Sequence, residues 1–322
     1  MRTFVHHDGA LGDVLLSLPC LRTFHEAGSA VHFAGRADIG RLLRASGIVE
    51  EASDAGASRY AGLYDGQQDG DLDTFLAQFD RAVVFTVDAE GPVSRTIGRV
   101  ITDTRTVITV PPRDVRTSAT RYRCGQLAPH ADPDARICLP VPPSHHELAS
   151  AMLARWGWKG DRPLVMVHPG SGGRDKRWPL ERFFSLARTL VVEQGAFVVI
   201  YTGPAEDDTF LDQVETFCRE QERTIHVGDA DLSALAALLG HCGVYVGNDS
   251  GVSHLAAAVG APTIALFGPT DPVAWAPVGR QVKVLSAPHL DEISVEQVAE
   301  EARASLSVPA GDMNGCGPNP WS

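Results

Sequence analysis

The second half of the chain alternates strictly between short apolar runs and stretches with a helical pattern of apolar residues. Strands separated by helices need right-handed crossovers, so this alternation predicts a parallel sheet with helices on both faces. The predicted strands are 164–168, 197–201, 224–227, 244–246, 263–267 and 282–285. The predicted helices are 145–156, 180–194, 207–220, 232–240, 250–259 and 295–306.

The first half begins with the same alternation and then loses it. Strands are predicted at 4–7, 31–34 and 82–87, and helices at 14–26 and 39–45. Prolines interrupt the chain between 111 and 143, which favours loops and short strands in that stretch.

The length of 322 residues suggests two domains, at about 150 residues for each. We expect an α/β protein in which residues 1–143 and 144–292 form two Rossmann-like, doubly wound domains, followed by a closing helix and tail at 293–322. Ligands of such domains bind at the carboxyl ends of the strands. The two domains are therefore expected to face each other across a cleft that holds the ligand.

Composition narrows the class of protein. Hydrophobic residues make up 44% and charged residues 21%, which excludes a disordered or collagen-like chain. The 28 basic and 40 acidic residues give a net charge of −12, which disfavours nucleic acid as a partner. The six cysteines form no C-x-x-C pair and are expected to be reduced thiols. Because the sequence shows neither an apolar run of membrane-spanning length nor a secretory signal, a cytoplasmic location is expected.

The first segment that carries chemistry follows the first predicted strand and reads D-G-A-L-G-D at 8–13. Its glycines, Gly9 and Gly12, allow a tight turn and a close approach of the backbone to a ligand, and Asp13 lies at the entrance of a helix. A simple N-cap, worth about 1 kcal/mol, is the competing role for Asp13. The spacing is not G-x-G-x-x-G, so a nicotinamide-dependent dehydrogenase is a weak interpretation.

The second segment is H-P-G-S-G-G-R-D-K-R-W-P at 168–179. The segment has small residues with free backbone N–H groups, followed by cationic side chains and a helix. This pattern favours an anion-binding concavity with phosphate as the ligand. Lys176 is one of only three lysines in the chain, and a compact ammonium suits a point contact to phosphate. The competing interpretation is a solvent-exposed loop with a surface lysine.

The third segment, G-N-D-S-G-V-S-H at 247–254, again ends a strand and begins a helix. Its backbone N–H groups and the positive end of the helix dipole favour an anion. Asp249 or Ser250 can instead be a simple cap, and His254 a satisfied polar side chain. Two such loops on one domain fit a diphosphate ligand.

These segments also carry a resemblance. The motifs G-A-L-G-D-V-L-L-S-L-P at 9–19, H-P-G-S-G-x-x-x-K-R-W-P at 168–179 and G-N-D-S-G-V-S-H-L-A-A-A-x-G-x-P-T-x-x-L-F-G-P-T-D-P at 247–272 resemble glycosyltransferase family 9, the ADP-heptose:lipopolysaccharide heptosyltransferases. The resemblance covers residues 1–26 and most of 163–280. It implies a GT-B fold with an N-terminal acceptor domain, a C-terminal nucleotide-sugar domain, and metal-independent transfer with inversion. The ADP-sugar is then a substrate, and no cofactor is implied.

The resemblance also implies roles for individual residues. Asp13 matches the proposed general base, and Lys176 the lysine on the donor diphosphate. Glu206 matches the acid that binds the ribose hydroxyls. The other expected nucleotide-sugar contacts are Gly12, Ser171, Gly172, Asp249, Ser250, Gly251 and His254.

The acceptor is less well defined, because the segments around 6–8, 86–91 and 281–293 depart from the family pattern. Seven arginines between residues 95 and 123 oppose two aspartates, a local charge of 7 − 2 = +5. Guanidinium groups bind phosphate and carboxylate with two hydrogen bonds, which suits an anionic glycan or glycolipid such as a lipopolysaccharide core. The candidate acceptor contacts are Arg95, Arg99, Arg116 and Arg121. A solvated surface explains these arginines equally well, and peripheral contact with the cytoplasmic face of the inner membrane stays open.

Two other functions stay open as well. A nucleotide-sugar isomerase with the same fold would need no acceptor, and a non-catalytic sugar-nucleotide-binding protein would bind ADP without turnover. The D-x-D strings at 71–73, 132–134 and 229–231 could hold a divalent metal, but such strings arise easily by chance among 40 acidic residues. No metal site is therefore predicted.

Overall fold

A computed structural model of the chain describes residues 1–66, 69–127, 137–228 and 230–307. It contains two structural units. The first unit begins at Met1 and ends at Pro140, and the second begins at Val141 and includes the last described helix.

In the first unit, five parallel strands form one sheet in the order β3-β2-β1-β4-β5. The strands are β1 (Arg2–His7), β2 (Ala30–Gly35), β3 (Glu51–Asp54), β4 (Arg81–Thr86) and β5 (Thr104–Ile108). The helices are α1 (Leu11–Leu16), α2 (Leu18–Glu26), α3 (Ala37–Ala45), α4 (Ala61–Asp65), α5 (Gly70–Leu76), α6 (Pro92–Val100) and α7 (Ala119–Leu127). Because the central strands are covered on both faces, Phe4, Val84 and Ile97 lie in one buried core.

In the second unit, six parallel strands form a sheet in the order β11-β10-β9-β6-β7-β8. The strands are β6 (Leu164–His168), β7 (Phe197–Thr202), β8 (Thr224–Gly228), β9 (Val244–Asn248), β10 (Thr263–Phe267) and β11 (Val282–Ser286). The helices are α8 (Pro143–Arg155), α9 (Leu180–Gln194), α10 (Asp208–Glu220), α11 (Leu232–Leu239), α12 (Gly251–Ala258), α13 (Pro272–Trp275) and α14 (Val295–Leu306). Val165, Val198 and Trp178 belong to its core.

The alternation predicted for the second unit is confirmed, and α9 and α14 have the predicted bounds. In the first unit the single helix predicted at 14–26 is wrong, because the chain forms α1 and α2 with a break at Ser17. Pro19 has no N–H to donate to the carbonyl of Leu15, so one continuous helix would leave that carbonyl unpaired. The prediction of loops and short strands throughout 111–143 is also wrong, because α7 forms within this proline-rich stretch.

Four cysteines, Cys20, Cys124, Cys218 and Cys242, are in the reduced thiol form, as predicted. Cys138 is disulfide-bonded, so the prediction of reduced thiols is wrong for this residue, and Cys316 lies outside the described residues. Among the described helices, none combines the length and the apolar character needed to cross a bilayer.

Candidate functional site

The two loops predicted to hold an anion leave the second sheet side by side. β6 and β9 pair in parallel with His168 opposite Gly247. The chain runs from β6 to β8 on one side of this pair and from β9 to β11 on the other, so the pair is the switch point of the sheet. Ligands of doubly wound folds bind at the carboxyl ends of the strands at such a point.

Asp249 contacts two side chains of the neighbouring loop, Ser171 and Lys176. Ser171 Oγ donates a hydrogen bond to the carbonyl of Asp249 at 3.0 Å. Lys176 Nζ lies 2.9 Å from Asp249 Oδ2, and the side chains of this pair are 38% and 10% exposed. The structure thus brings Ser171, Lys176 and Asp249 together and leaves the ammonium partly accessible to solvent.

The other predicted donor contacts on these loops differ in exposure. Gly172 is exposed, and Gly251 is the first residue of α12. Ser250 is the N-cap residue of α12, but its hydroxyl makes no capping hydrogen bond and lies 3.4 Å from the Ser253 hydroxyl. His254 is buried within α12, with 6% of the residue exposed.

Glu206 lies in the turn after β7, beside the loop that follows β6. Its carboxylate accepts a hydrogen bond from the backbone N–H of Gly203 at 2.8 Å, and burial raises the pKa of this carboxyl. A Cβ atom at Gly170 would clash with the Glu206 carboxylate and with the ring of His168. Glycine at position 170 therefore lets the loop pass this close to the acid without displacing either side chain.

Arg177 connects the diphosphate-type loop to the turn that holds Glu206, a role that the sequence pattern does not predict. It donates to the carbonyl of Ser171 at 2.7 Å and to the carbonyl of Ala205 at 3.3 Å, and its Nη2 lies 3.6 Å from Glu206 Oε1. The signal that could have identified it is its place beside Lys176 in the K-R-W-P string.

Asn248, at the end of β9, is a second residue that sequence reasoning missed. It is fully buried, and its amide donates to the carbonyls of Pro169 and Gly170 at 2.9 and 3.3 Å. Its Oδ1 accepts from the backbone N–H of Trp178 at 2.9 Å. One side chain thus holds both ends of the segment between β6 and α9.

Replacing Asn248 with alanine is expected to lower the free energy of unfolding by about 1–3 kcal/mol, because buried carbonyls lose their donor. Asn248→Asp is expected to destabilise more, because it places a carboxylate oxygen against two carbonyl oxygens. Denaturant unfolding measures both effects. Ser185→Ala is the control, since this exposed hydroxyl bonds only a carbonyl of its own helix. If Asn248→Asp were as stable as the wild type, Asn248 would not be holding the two ends of this segment together.

In the first unit, Asp13 follows β1, which pairs with β4 at the switch point of that sheet. It lies in the first turn of α1, whose N-cap residue is Ala10, so the N-cap interpretation of Asp13 is wrong. Its side chain is 35% exposed, and its Oδ1 accepts a hydrogen bond from Arg123 Nη2 at 2.9 Å. Gly12 precedes it in α1 and is partly buried.

The four arginines predicted to bind an acceptor are exposed. Arg95 lies in the first turn of α6 and donates to the carbonyl of Glu90. Arg99 lies in the last turn of α6 and forms an ion pair of 2.8 Å with Asp73. Arg116 precedes α7, and Arg121 lies within it. Arg123, from the same run of arginines, is buried and does not belong to that surface.

The described aspartates of the D-x-D strings lie within a helix or at the N-cap of one. Asp71 and Asp73 lie in α5, and Asp231 caps α11 by accepting from the backbone N–H of Ser233. Residues 132–134 and 229 lie outside the described residues. Within the described ranges, no three His, Cys, Asp or Glu side chains are grouped so that they could hold a metal ion.

Comparisons with known proteins agree with this architecture. Solved structures of an Escherichia coli ADP-heptose heptosyltransferase II and of a family 9 glycosyl transferase from Veillonella parvula superpose with TM-scores of 0.73 and 0.78. Each superposition covers 95% of this chain. It covers 98% of the Escherichia coli chain at 20% identity and 97% of the Veillonella parvula chain at 21% identity. The expected GT-B fold is confirmed.

A curated sequence relative is lipooligosaccharide heptosyltransferase 2 of Haemophilus influenzae, which is 35% identical over 130 residues. The match covers 39% of this chain, and the chain spans 37% of the length of that relative. The family model described as glycosyltransferase family 9 (heptosyltransferase) matches residues 117–303, which is more than half of the chain. The resemblance seen in the motifs is thereby confirmed: the chain belongs to glycosyltransferase family 9.

Proposed function

We propose that the protein transfers a heptose or a related sugar from an ADP-sugar to a lipopolysaccharide-core-type acceptor, with inversion at the anomeric carbon and without a metal. The observation that carries the proposal is the contact between the two predicted anion-binding loops, where Lys176 Nζ lies 2.9 Å from Asp249 Oδ2. This pair places a partly exposed ammonium group at the carboxyl ends of β6 and β9. The names of the family relatives supply the sugar and the acceptor class.

The donor diphosphate is assigned to the loops of the second unit. An ammonium has three N–H donors, so Lys176 can keep its bond to Asp249 while two donors remain for phosphate oxygens. The first N–H groups of α12 have no acceptor within the helix and favour negative charge. These groups also stabilise the diphosphate as it leaves, and donors positioned in this way commonly contribute about 10²–10³ each in rate.

The nucleoside is assigned to the turn that holds Glu206. Its carboxylate is almost completely buried, with 1% of the side chain exposed, and it already accepts from the Gly203 N–H. A carboxylate accepts several hydrogen bonds, so capacity remains for ribose hydroxyls. Arg177, which contacts Glu206 and the carbonyl of Ser171, couples the position of this acid to the diphosphate loop.

Proton transfer is assigned to Asp13 in the first unit. The acceptor oxygen forms a bond to the anomeric carbon while the bond from that carbon to the diphosphate oxygen breaks. The electron pair of the broken bond leaves with ADP, and the proton of the acceptor hydroxyl passes to Asp13. Attack on the face opposite to the leaving group inverts the configuration. A loose transition state in which the proton moves late makes few demands on the strength of this base.

The experiment is a comparison of donors. Calorimetry with ADP, GDP and UDP is expected to show the tightest binding for ADP. Incubation of ADP-heptose with heptose-free core glycolipid and EDTA is expected to yield ADP and a heptosylated product of inverted configuration. Turnover of the sugar nucleotide without acceptor would favour an isomerase instead. ADP binding with no turnover that depends on Asp13 would favour a binding protein.

We assign the acceptor's anionic groups to the exposed arginines around α7. Reversing the charge of Arg116 and Arg121 to glutamate is expected to raise the acceptor KM about tenfold or more, because charge-assisted hydrogen bonds are lost and repulsion replaces them. The donor KM is expected to stay unchanged, and steady-state kinetics with varied acceptor measures both.

Arg41→Glu with Arg44→Glu is the matched control for this charge reversal, because both arginines are exposed on α3 and the change in net charge is the same. An acceptor KM that does not move in the Arg116 and Arg121 variant would reject the assignment. A cytoplasmic location with peripheral membrane contact stays a prediction.

A further inference from the structure

Arg123 is a fully buried arginine in the first unit, with 0% of the residue exposed. Burial of a guanidinium is unfavourable unless the charge is paired and its N–H groups are bonded. Its place on α7 explains the burial, because Ala119, Cys124 and Leu127 on the same helix are buried as well.

The guanidinium of Arg123 holds Asp13 by both its side chain and its main chain. Nη2 donates to Asp13 Oδ1 at 2.9 Å, and Nη1 donates to the Asp13 carbonyl at 2.6 Å. Nη1 also lies 3.0 Å from Ser17 Oγ, and Nε donates to the carbonyl of Thr109 at 2.9 Å. One planar group thus joins α1, the start of α2 and the end of β5.

The break between α1 and α2 creates the need for this contact. In a continuous helix the N–H of Ser17 would bond the carbonyl of Asp13, but here it bonds the carbonyl of Val14. The Asp13 carbonyl is therefore one of the acceptors that a helix end leaves open. Arg123 Nη1 and the Ser17 hydroxyl, at 2.6 and 3.1 Å, both donate to it.

His7 extends the network on the other side of Ser17. Burial lowers the pKa of His7, and the nearby Arg123 guanidinium lowers it further, so the ring is neutral. Its Nδ1 accepts from the backbone N–H of Gly9, which leaves Nε2 to donate to Ser17 Oγ at 3.2 Å. Burial lowers the pKa of Arg123 as well, and the Asp13 carboxylate opposes that effect.

We propose that Arg123 is a positioning residue for Asp13: it holds Oδ1 and the backbone of Asp13, so that Oδ2 is presented to the acceptor hydroxyl. The inference rests on the proposed function, in which Asp13 accepts the acceptor proton. Among the described residues, no hydrogen-bond donor to Oδ2 is found, whereas Oδ1 is engaged. A guanidinium suits this task because its fork contacts side chain and main chain together, which an ammonium cannot do.

The test is a double-mutant cycle. Arg123→Gln and Arg123→Lys are made in the wild-type chain and in Asp13→Asn, and kcat, KM and donor Kd are measured by ADP release and calorimetry. Arg123→Gln is expected to lower kcat by about 10²-fold, since a small misplacement of a catalytic group has an effect of this size. Arg123→Lys is expected to retain an intermediate kcat. Donor Kd is expected to stay unchanged in all variants.

The Asp13→Asn background separates positioning from stability. If Arg123 acts through Asp13, Arg123→Gln is expected to change the residual rate of Asp13→Asn by less than about twofold. An effect that multiplies in full in that background would overturn the proposal, because a structural role does not depend on the Asp13 carboxylate. If Arg123→Gln does not fold, Arg123→Lys carries the same cycle.

Arg81 supplies the matched control. It forms an ion pair of 2.6 Å with Asp103 at the amino end of β4, in the same unit, whereas Asp13 follows the carboxyl end of β1. Arg81→Gln is expected to leave kcat unchanged, and an equal loss of kcat in this variant would also overturn the proposal. A wild-type protein that binds ADP but transfers no sugar would instead reject the proposed function, so the two failures are distinguishable.

Discussion

Replacement of Asp13 by asparagine is expected to lower kcat for sugar transfer by about 10²–10⁴-fold, the contribution typical of a positioned general base. The amide keeps an oxygen to accept from Arg123 Nη2, which lies 2.9 Å from Oδ1 in the wild-type chain, but it cannot accept a proton from the acceptor hydroxyl. Donor affinity is expected to stay unchanged, because the loops assigned to the donor lie in the second unit. Turnover with saturating donor and acceptor, together with calorimetry for ADP, measures the two effects.

Asp38 provides the matched control for Asp13. It also lies in the first turn of a helix that follows a strand of the first sheet, and it pairs with an arginine, Arg36, at 3.2 Å. Asp38→Asn is expected to retain wild-type kcat. Near-normal turnover of Asp13→Asn with intact donor binding would show that Asp13 is not the base.

Replacement of Lys176 by glutamine is expected to lower kcat/KM for the donor by about 10²–10³-fold, because the departing diphosphate loses a positioned cation. Glutamine can still donate a hydrogen bond to Asp249, so this change removes the charge with little change in packing. Kinetics with varied donor and calorimetry with ADP measure the loss in the transition state and in binding separately.

Lys283 is the matched control, because it is a second lysine of the same unit that pairs with an acid, Glu301, at 3.0 Å. Lys283→Gln is expected to leave donor kinetics unchanged. If Lys176→Gln bound ADP and turned over like the wild type, the pair with Asp249 would be structural and the assignment of the diphosphate to this ammonium would fail.

The loops of the second unit can be predicted from the sequence, because the signals that define them are local. The apolar runs that form β6 and β9 are of strand length, and each is followed by glycine, small polar residues and a helix. These features act over a few residues, so both loops could be placed at the ends of their strands. Lys176 is predictable as a phosphate contact because lysine is rare in this chain and this one lies in such a loop.

The helices of the first unit are harder to predict, because its hydrophobic periodicity and its prolines indicate different structures. Pro19 lies inside an apolar periodic stretch, and the period suggested one helix where the missing N–H produces two. Arg123 lies in a proline-rich stretch whose composition favours loops, which obscures the helix that buries it together with Cys124 and Leu127. Its charge then suggested a surface position, whereas its pairing with Asp13 permits burial.

By itself, the sequence determined the alternation of strands and helices in the second unit, the loops that end its strands, and the family. Only the tertiary structure decided which side chains meet at those loops. Lys176 and Asp249 are 73 positions apart, and Asp13 and Arg123 are 110 apart. Each of these contacts depends on which strands become neighbours in a sheet. Strand order follows from packing of the whole unit, whereas turns and helix starts follow from a few adjacent residues.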